Sequence, residues 1–72
     1  MHVSHDKAVD AAYIRIVDVI PEGEAVRQVT MNSGAGGETE FVLDLDRWGR
    51  LLGIEVLGAT LGLRPETLAL AD

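Results

Sequence analysis

The chain of 72 residues has no cysteine, one lysine, two prolines and three aromatic residues. Without cysteine it has neither a disulfide to staple a small fold nor thiolates for a structural metal. Lys7 and five arginines, at 15, 27, 47, 50 and 64, face twelve acids, for a net charge of −6. Nucleic-acid binding depends on basic side chains that neutralise phosphates. Here the bases are scattered, and Arg47 and Arg50 stand beside Asp44 and Asp46. Autonomous binding of DNA or RNA is therefore not expected, and the acidic surface suits a basic partner. No apolar run approaches the length of a membrane span. No basic stretch followed by an apolar one marks a signal peptide. The expectation is a soluble, cytoplasmic protein that does not engage a membrane.

What the chain does have is aliphatic side chains, within an apolar fraction of 47%. Its length fits one small domain, residues 1–72. A domain of this size hides only about 60% of the surface that its unfolded chain exposes. Oligomerisation is one way to bury the remainder, and a homodimer is the expected form.

The stretch Phe41–Gly58 organises the rest. Phe41, Leu43 and Leu45 alternate with Val42, Asp44 and Asp46, the period-two pattern of a strand. Asp46-Arg47-Trp48-Gly49 reads as a turn, Asp bonding nearby N–H groups and Gly accepting a left-handed backbone. The return strand, Leu51–Leu57, places Leu52, Ile54 and Val56 on one face. Its other face, with Leu51, Gly53, Glu55 and Leu57, is partly apolar too, which points to a central strand. Gly53 there marks a bulge or a close approach to the backbone.

Elsewhere, Met1–His5 reads as a short edge strand and Asp6–Asp10 as a turn begun by Asp6. Ala11–Ile20 is a strand with Ile14 and Ile16 as core. Pro21–Glu24 is a turn, and Glu22 and Glu24 are exposed. Ala25–Asn32 is a strand whose apolar Val26, Val29 and Met31 do not share parity, so a bulge is expected near Arg27 and Gln28. Ser33–Gly37 is a loop, with Gly36 exposed. Pro65 suits the first position of a short helix within Arg64–Ala71. The predicted fold is α+β and mostly β. It is a four-stranded antiparallel meander of Ala11–Ile20, Ala25–Asn32, Glu38–Asp46 and Leu51–Leu57, with a short N-terminal strand and a short C-terminal helix. Ile14, Ile16, Leu43, Leu52, Ile54 and Val56 form the expected core.

Residues 2–16, HVSHDKAVDAAYIRI, and 41–59, FVLDLDRWGRLLGIEVLGA, together resemble a bacterial and archaeal family known as domain of unknown function 2283. The shared features are the Asp-containing turn, the Asp-Ala-x-Tyr-Ile strand, Asp-x-Asp, and the Gly-Ile-Glu segment. Two departures stand out. His5 occupies a position where the family commonly has Tyr, and the segment containing Ser33–Gly37 is longer and unmatched. The resemblance implies a small antiparallel β fold and no established activity or catalytic residue. Because some members lie beside small toxin-like proteins of the ribonuclease type, it also raises an antitoxin role.

No catalytic residue, metal site or cofactor is expected. Asp44, Asp46 and Glu55 offer oxygen ligands for a hard cation, but their spacing is not that of an EF-hand loop. Asp46 has the alternative task of capping its own turn. His2 and His5, three apart in a strand, point to opposite faces and do not converge. Ser4 and Ser33 lack a nucleophile-elbow motif. The glycine-rich loop lacks the Lys-Ser/Thr of a P-loop. Trp48, at a turn tip, and Tyr13, facing away from Ile14, are of the types enriched at binding hot spots. Together with Leu63 and Leu68 they are the candidate protein-binding residues, and Leu61 and Leu70 join Trp48 as candidate dimer contacts. The expected function is a non-catalytic protein-binding module, antitoxin-like towards a small basic partner. The alternative is a homo-oligomeric small-ligand-binding or structural protein.

Overall fold

A computed structural model describes residues 1–32 and 39–72. Five strands form one antiparallel sheet: β1 (His2–Asp6), β2 (Ala11–Arg15), β3 (Arg27–Asn32), β4 (Glu40–Leu45) and β5 (Leu51–Leu57). Two short helices follow, α1 (Ala59–Gly62) and α2 (Pro65–Leu68). Neither is long and apolar enough to cross a membrane. The mostly β class, the N-terminal strand and the central hairpin match the sequence-based expectation. The readings of Ser33–Gly37 and of Gly36 fall outside the described residues.

The strand order is β1-β2-β5-β4-β3, which corrects the meander in one place. β3, β4 and β5 do form a meander, but β2 pairs with β5 and not with β3. Residues 16–26 carry the chain past the β4–β5 turn to the far edge. Ile16 N donates to Leu52 O at 2.9 Å on one side of that passage, and Val26 N donates to Leu45 O at 3.1 Å on the other. Long-range anchors select this order. Asp10 O accepts the N–H groups of Gly58 and Ala59, at 3.1 and 3.0 Å, and so fastens the start of β2 to the end of β5.

Two boundaries shift as a result. β2 ends at Arg15, so Ile16 lies outside the sheet and is exposed, contrary to its expected core position. β3 begins at Arg27, so Val26 precedes the strand and its parity is irrelevant. The irregularity lies instead between Asp44 and Leu45, opposite β5.

Directly opposed residues of antiparallel strands share a face. One face carries the rungs His5–Ala12–Val56–Phe41–Met31 and Val3–Ile14–Ile54–Leu43–Val29. α1 and α2 close over part of it, with Ala59, Leu63 and Leu68 packed with Ala12 and Val56. Burial falls towards the β3 end of these rungs. Val3, Ala12 and Val56 are buried, Ile14, Ile54, Phe41 and Leu43 are half-buried, and Val29 and Met31 are 38% and 54% exposed. Leu52 is buried on the same face, beyond the paired rungs.

Candidate functional site

The opposite face is polar. Its rungs are Ser4–Tyr13–Glu55–Val42–Thr30 and His2–Arg15–Gly53–Asp44–Gln28. Tyr13 leans diagonally across β5, and its ring occupies the space that a Cβ on Gly53 would need. Only a glycine at 53 lets the ring lie this close to the backbone. The Tyr13 hydroxyl then donates to Asp44 Oδ2 at 2.7 Å, and Gln28 Nε2 donates to Asp44 Oδ1 at 2.9 Å. One carboxylate thus ties together side chains from β2, β4 and β3.

Burial of the phenol, its hydrogen bond to Asp44 and the charges of Asp44 and Glu55 push the Tyr13 pKa up to about 12. Because the folded-state value lies above the ordinary one of about 10, this contribution to stability is complete below pH 10. It disappears as the pH rises through 12. Tyr13 is the only tyrosine, so tyrosinate absorbance reports it alone. The native chain should titrate near 12, and Asp44→Asn should move the midpoint down towards 10. A wild-type midpoint near 10, with far-UV circular dichroism unchanged, would break the link between Tyr13 and Asp44.

The β4–β5 tip is held by Asp46, which is buried. Its Oδ1 accepts from Trp48 N and Arg50 N, each at 2.9 Å, and its Oδ2 accepts from Arg50 Nε at 3.0 Å. Gly49, with φ of 79°, completes the turn. These donors hold the Asp46 carboxyl below the usual range, the backbone N–H of Arg50 most of all. Trp48 is 62% exposed, and the Arg47 and Arg50 guanidiniums lie 4.5 and 4.8 Å from its ring centroid.

A third cluster joins the β1–β2 turn to α1. Asp10 accepts from Thr60 Oγ1 at 2.7 Å and from Thr60 N at 3.2 Å, and lies 2.9 Å from His5 Nε2. These bonds lower its pKa, the Thr60 hydroxyl most of all and His5 next. His2 pairs instead with Asp72. The two histidines therefore sit on opposite faces, each beside its own carboxylate.

The carboxylates raised as cation ligands diverge. Asp46 faces its own turn, Asp44 faces Tyr13 and Gln28, and Glu55 is exposed. Among the described residues no group of three His, Asp or Glu side chains is placed to hold a metal ion. Residues 16–26 and the start of β5 border a groove of about 520 Å³, lined by Val17, Val19, Leu51 and Leu52. Asp46 and Arg50 also line it, and they are bonded to each other.

The model of a family described as protein of unknown function (DUF2283) matches residues 2–59. The chain belongs to this family. No curated protein and no solved structure matches the chain. The DUF2283 match takes in the whole sheet, the Tyr13–Asp44 bond and the Asp46 turn, and stops at Ala59. Leu63 and Leu68 lie beyond it. Of the four candidate binding residues, Trp48 alone stands out in solvent. Leu63 and Leu68 pack against the core, and Tyr13 is half-buried over Gly53. Sequence reasoning did not join Asp10 to Thr60 or Gln28 to Asp44. The one legible signal of such contacts was a large side chain and a glycine on the same polar face.

Proposed function

We propose that this DUF2283 protein is a cytoplasmic, non-catalytic protein-binding module. It docks a basic protein on the β4–β3 side of its apolar face, in an antitoxin-like manner. The observation that supports this is the decline in burial along the apolar rungs, from Val56 at 0% exposure to Met31 at 54%. The helices cover one end of the face and leave Val29 and Met31 in water. Apolar side chains left exposed together at one end of a sheet face match the make-up of a docking patch. A net charge of −6 favours a basic partner and speeds its encounter. Among the described residues the polar clusters are engaged within the chain: Asp44 with Tyr13 and Gln28, Asp46 with its own turn and Arg50, and Asp10 with Thr60 and His5.

The test is co-expression with small basic proteins encoded beside this one, followed by titration calorimetry of any complex. Replacing both Val29 and Met31 by Asp should weaken binding at least tenfold, whereas Tyr13→Phe should leave it unchanged. Affinity should fall as salt is raised. A complex indifferent to both charges on that face would overturn the reading.

A further inference from the structure

We infer that β3 is the contact strand of a symmetric dimer, pairing antiparallel with β3 of a second copy to form one continuous ten-stranded sheet. The inference shares with the proposed function only the premise that the β3 side of the sheet is open.

The two edges of the sheet differ. Beyond β1 the chain closes on itself: Asp72 N donates to Val3 O at 3.3 Å, and the Asp72 carboxylate pairs with His2. β3 is the last strand at the other edge, and all six of its residues are exposed. Among the described residues, no backbone hydrogen bond beyond its pairing with β4 reaches it. Sheets usually protect such an edge with proline, lysine, inward charges or a covering segment. Residues 28–32, Gln-Val-Thr-Met-Asn, contain no proline and no charge.

This strand is also complementary to itself. A two-fold axis normal to the sheet keeps equivalent faces together, so opposed residues must have the same parity. Centred on Thr30, the axis sets Thr30 against Thr30, Val29 against Met31 and Gln28 against Asn32. The apolar pair falls on the apolar face and the amide pair on the polar face. Threonine and apolar cross-strand pairs are both favourable, and no like charges meet. An isologous contact of this kind closes at two copies. It also sets two open apolar patches side by side as one surface.

The absence of cysteine makes a clean test. Opposed residues of an antiparallel pair have Cα atoms about 4.5–5.5 Å apart, within the range that a disulfide spans. Thr30→Cys should therefore give a cross-linked dimer under mild oxidation. Ser4→Cys, on the closed β1 edge, should cross-link far more slowly. Sedimentation at micromolar concentration should give twice the 7.7 kDa chain mass for the wild type. Thr30→Lys and Thr30→Glu each place like charges at the axis and should each sediment as monomers, whereas their mixture should restore the dimer. A monomeric wild type, or cross-linking at Thr30 no faster than at Ser4, would overturn the inference. So would a wild-type dimer that persists unchanged in Thr30→Lys. Thr30 projects from the polar face, so Thr30→Lys leaves Val29 and Met31 in place. Loss of dimer with retained binding of a basic partner would separate this inference from the docking reading.

Discussion

Val56→Ala should lower the stability of the folded chain by about 2–3 kcal/mol. Val56 has no exposed surface and lies in the middle of the apolar face. Its register partners are Ala12 on β2 and Phe41 on β4, and Ala59 of α1 packs with it from above. Truncation removes two methyl groups, each worth about 0.8 kcal/mol of transfer free energy. It also leaves a cavity among neighbours that include two alanines, whose side chains are too short to fill it. In a chain of this length each kcal/mol shifts the melting midpoint by roughly 4–8 °C, so a fall of roughly 10–20 °C is expected. Leu57→Ala is the matched control. Leu57 is the next residue, points to the opposite face and is 37% exposed, so its truncation should cost about 1 kcal/mol or less. Urea denaturation of the two variants gives the comparison. If Val56→Ala proves no worse than Leu57→Ala, α1 does not close over the sheet at this point.

The hairpin around Val56 was legible because its information is local. Alternating apolar residues from Phe41 set the strand period, and Asp46 and Gly49 bracket the turn with the two residue types that its backbone requires. Gly53 was legible as a site of close approach, and the Tyr13 ring is what approaches. The order of the strands was not legible in the same way. Ala12 and Ile14 would present an apolar face to β3 as readily as to β5, and adjacency in sequence favours β3. The choice is made by contacts between residues far apart in the chain, Asp10 with Gly58 and Ala59, and Tyr13 with Asp44. None leaves a periodic trace.

Ile16 failed for a related reason. The apolar parity of Ala12 and Ile14 extends to Ile16 before Asp18 ends it, and no breaker appears before Pro21, yet the chain leaves the sheet after Arg15. It must do so to pass the β4–β5 turn and reach the far edge. Leu63 and Leu68 show the reverse case. As apolar residues on a short, weakly patterned tail they read as surface available to a partner. The tail folds back in two short helical turns, and both residues pack against the core cluster. A helix of four residues has no stability of its own, so α1 and α2 depend on this docking and on Asp10 beneath them.

That dependence makes acid the condition under which the fold should weaken first. Asp10 and Asp46 both have folded-state pKa values below the ordinary carboxylate range. Asp10 is held down by the Thr60 hydroxyl, then His5, then the Thr60 backbone N–H. Asp46 is held down by the backbone N–H of Arg50, then its guanidinium, then Trp48 N. A carboxyl whose pKa is depressed on folding contributes stability that is complete above the unfolded value, about 3.9. The contribution is lost as the pH falls through that value towards the lower folded one. The melting midpoint should accordingly hold steady as the pH is lowered to about 5 and then drop steeply towards pH 2. Two variants divide the drop. Asp46→Asn removes the tip's share, and Asp10→Asn removes the share that joins the β1–β2 turn to α1. Each should melt lower than wild type at neutral pH and show a shallower acid slope. Hydrogen exchange at acid pH distinguishes them further. In Asp10→Asn the amides of α1 should lose protection while Gly49 N, bonded to Asp46 O at 3.0 Å, keeps its own. In Asp46→Asn the pattern should reverse. An acid slope unchanged in both variants would mean that neither carboxylate is bonded as described, and that another group governs the response to acid.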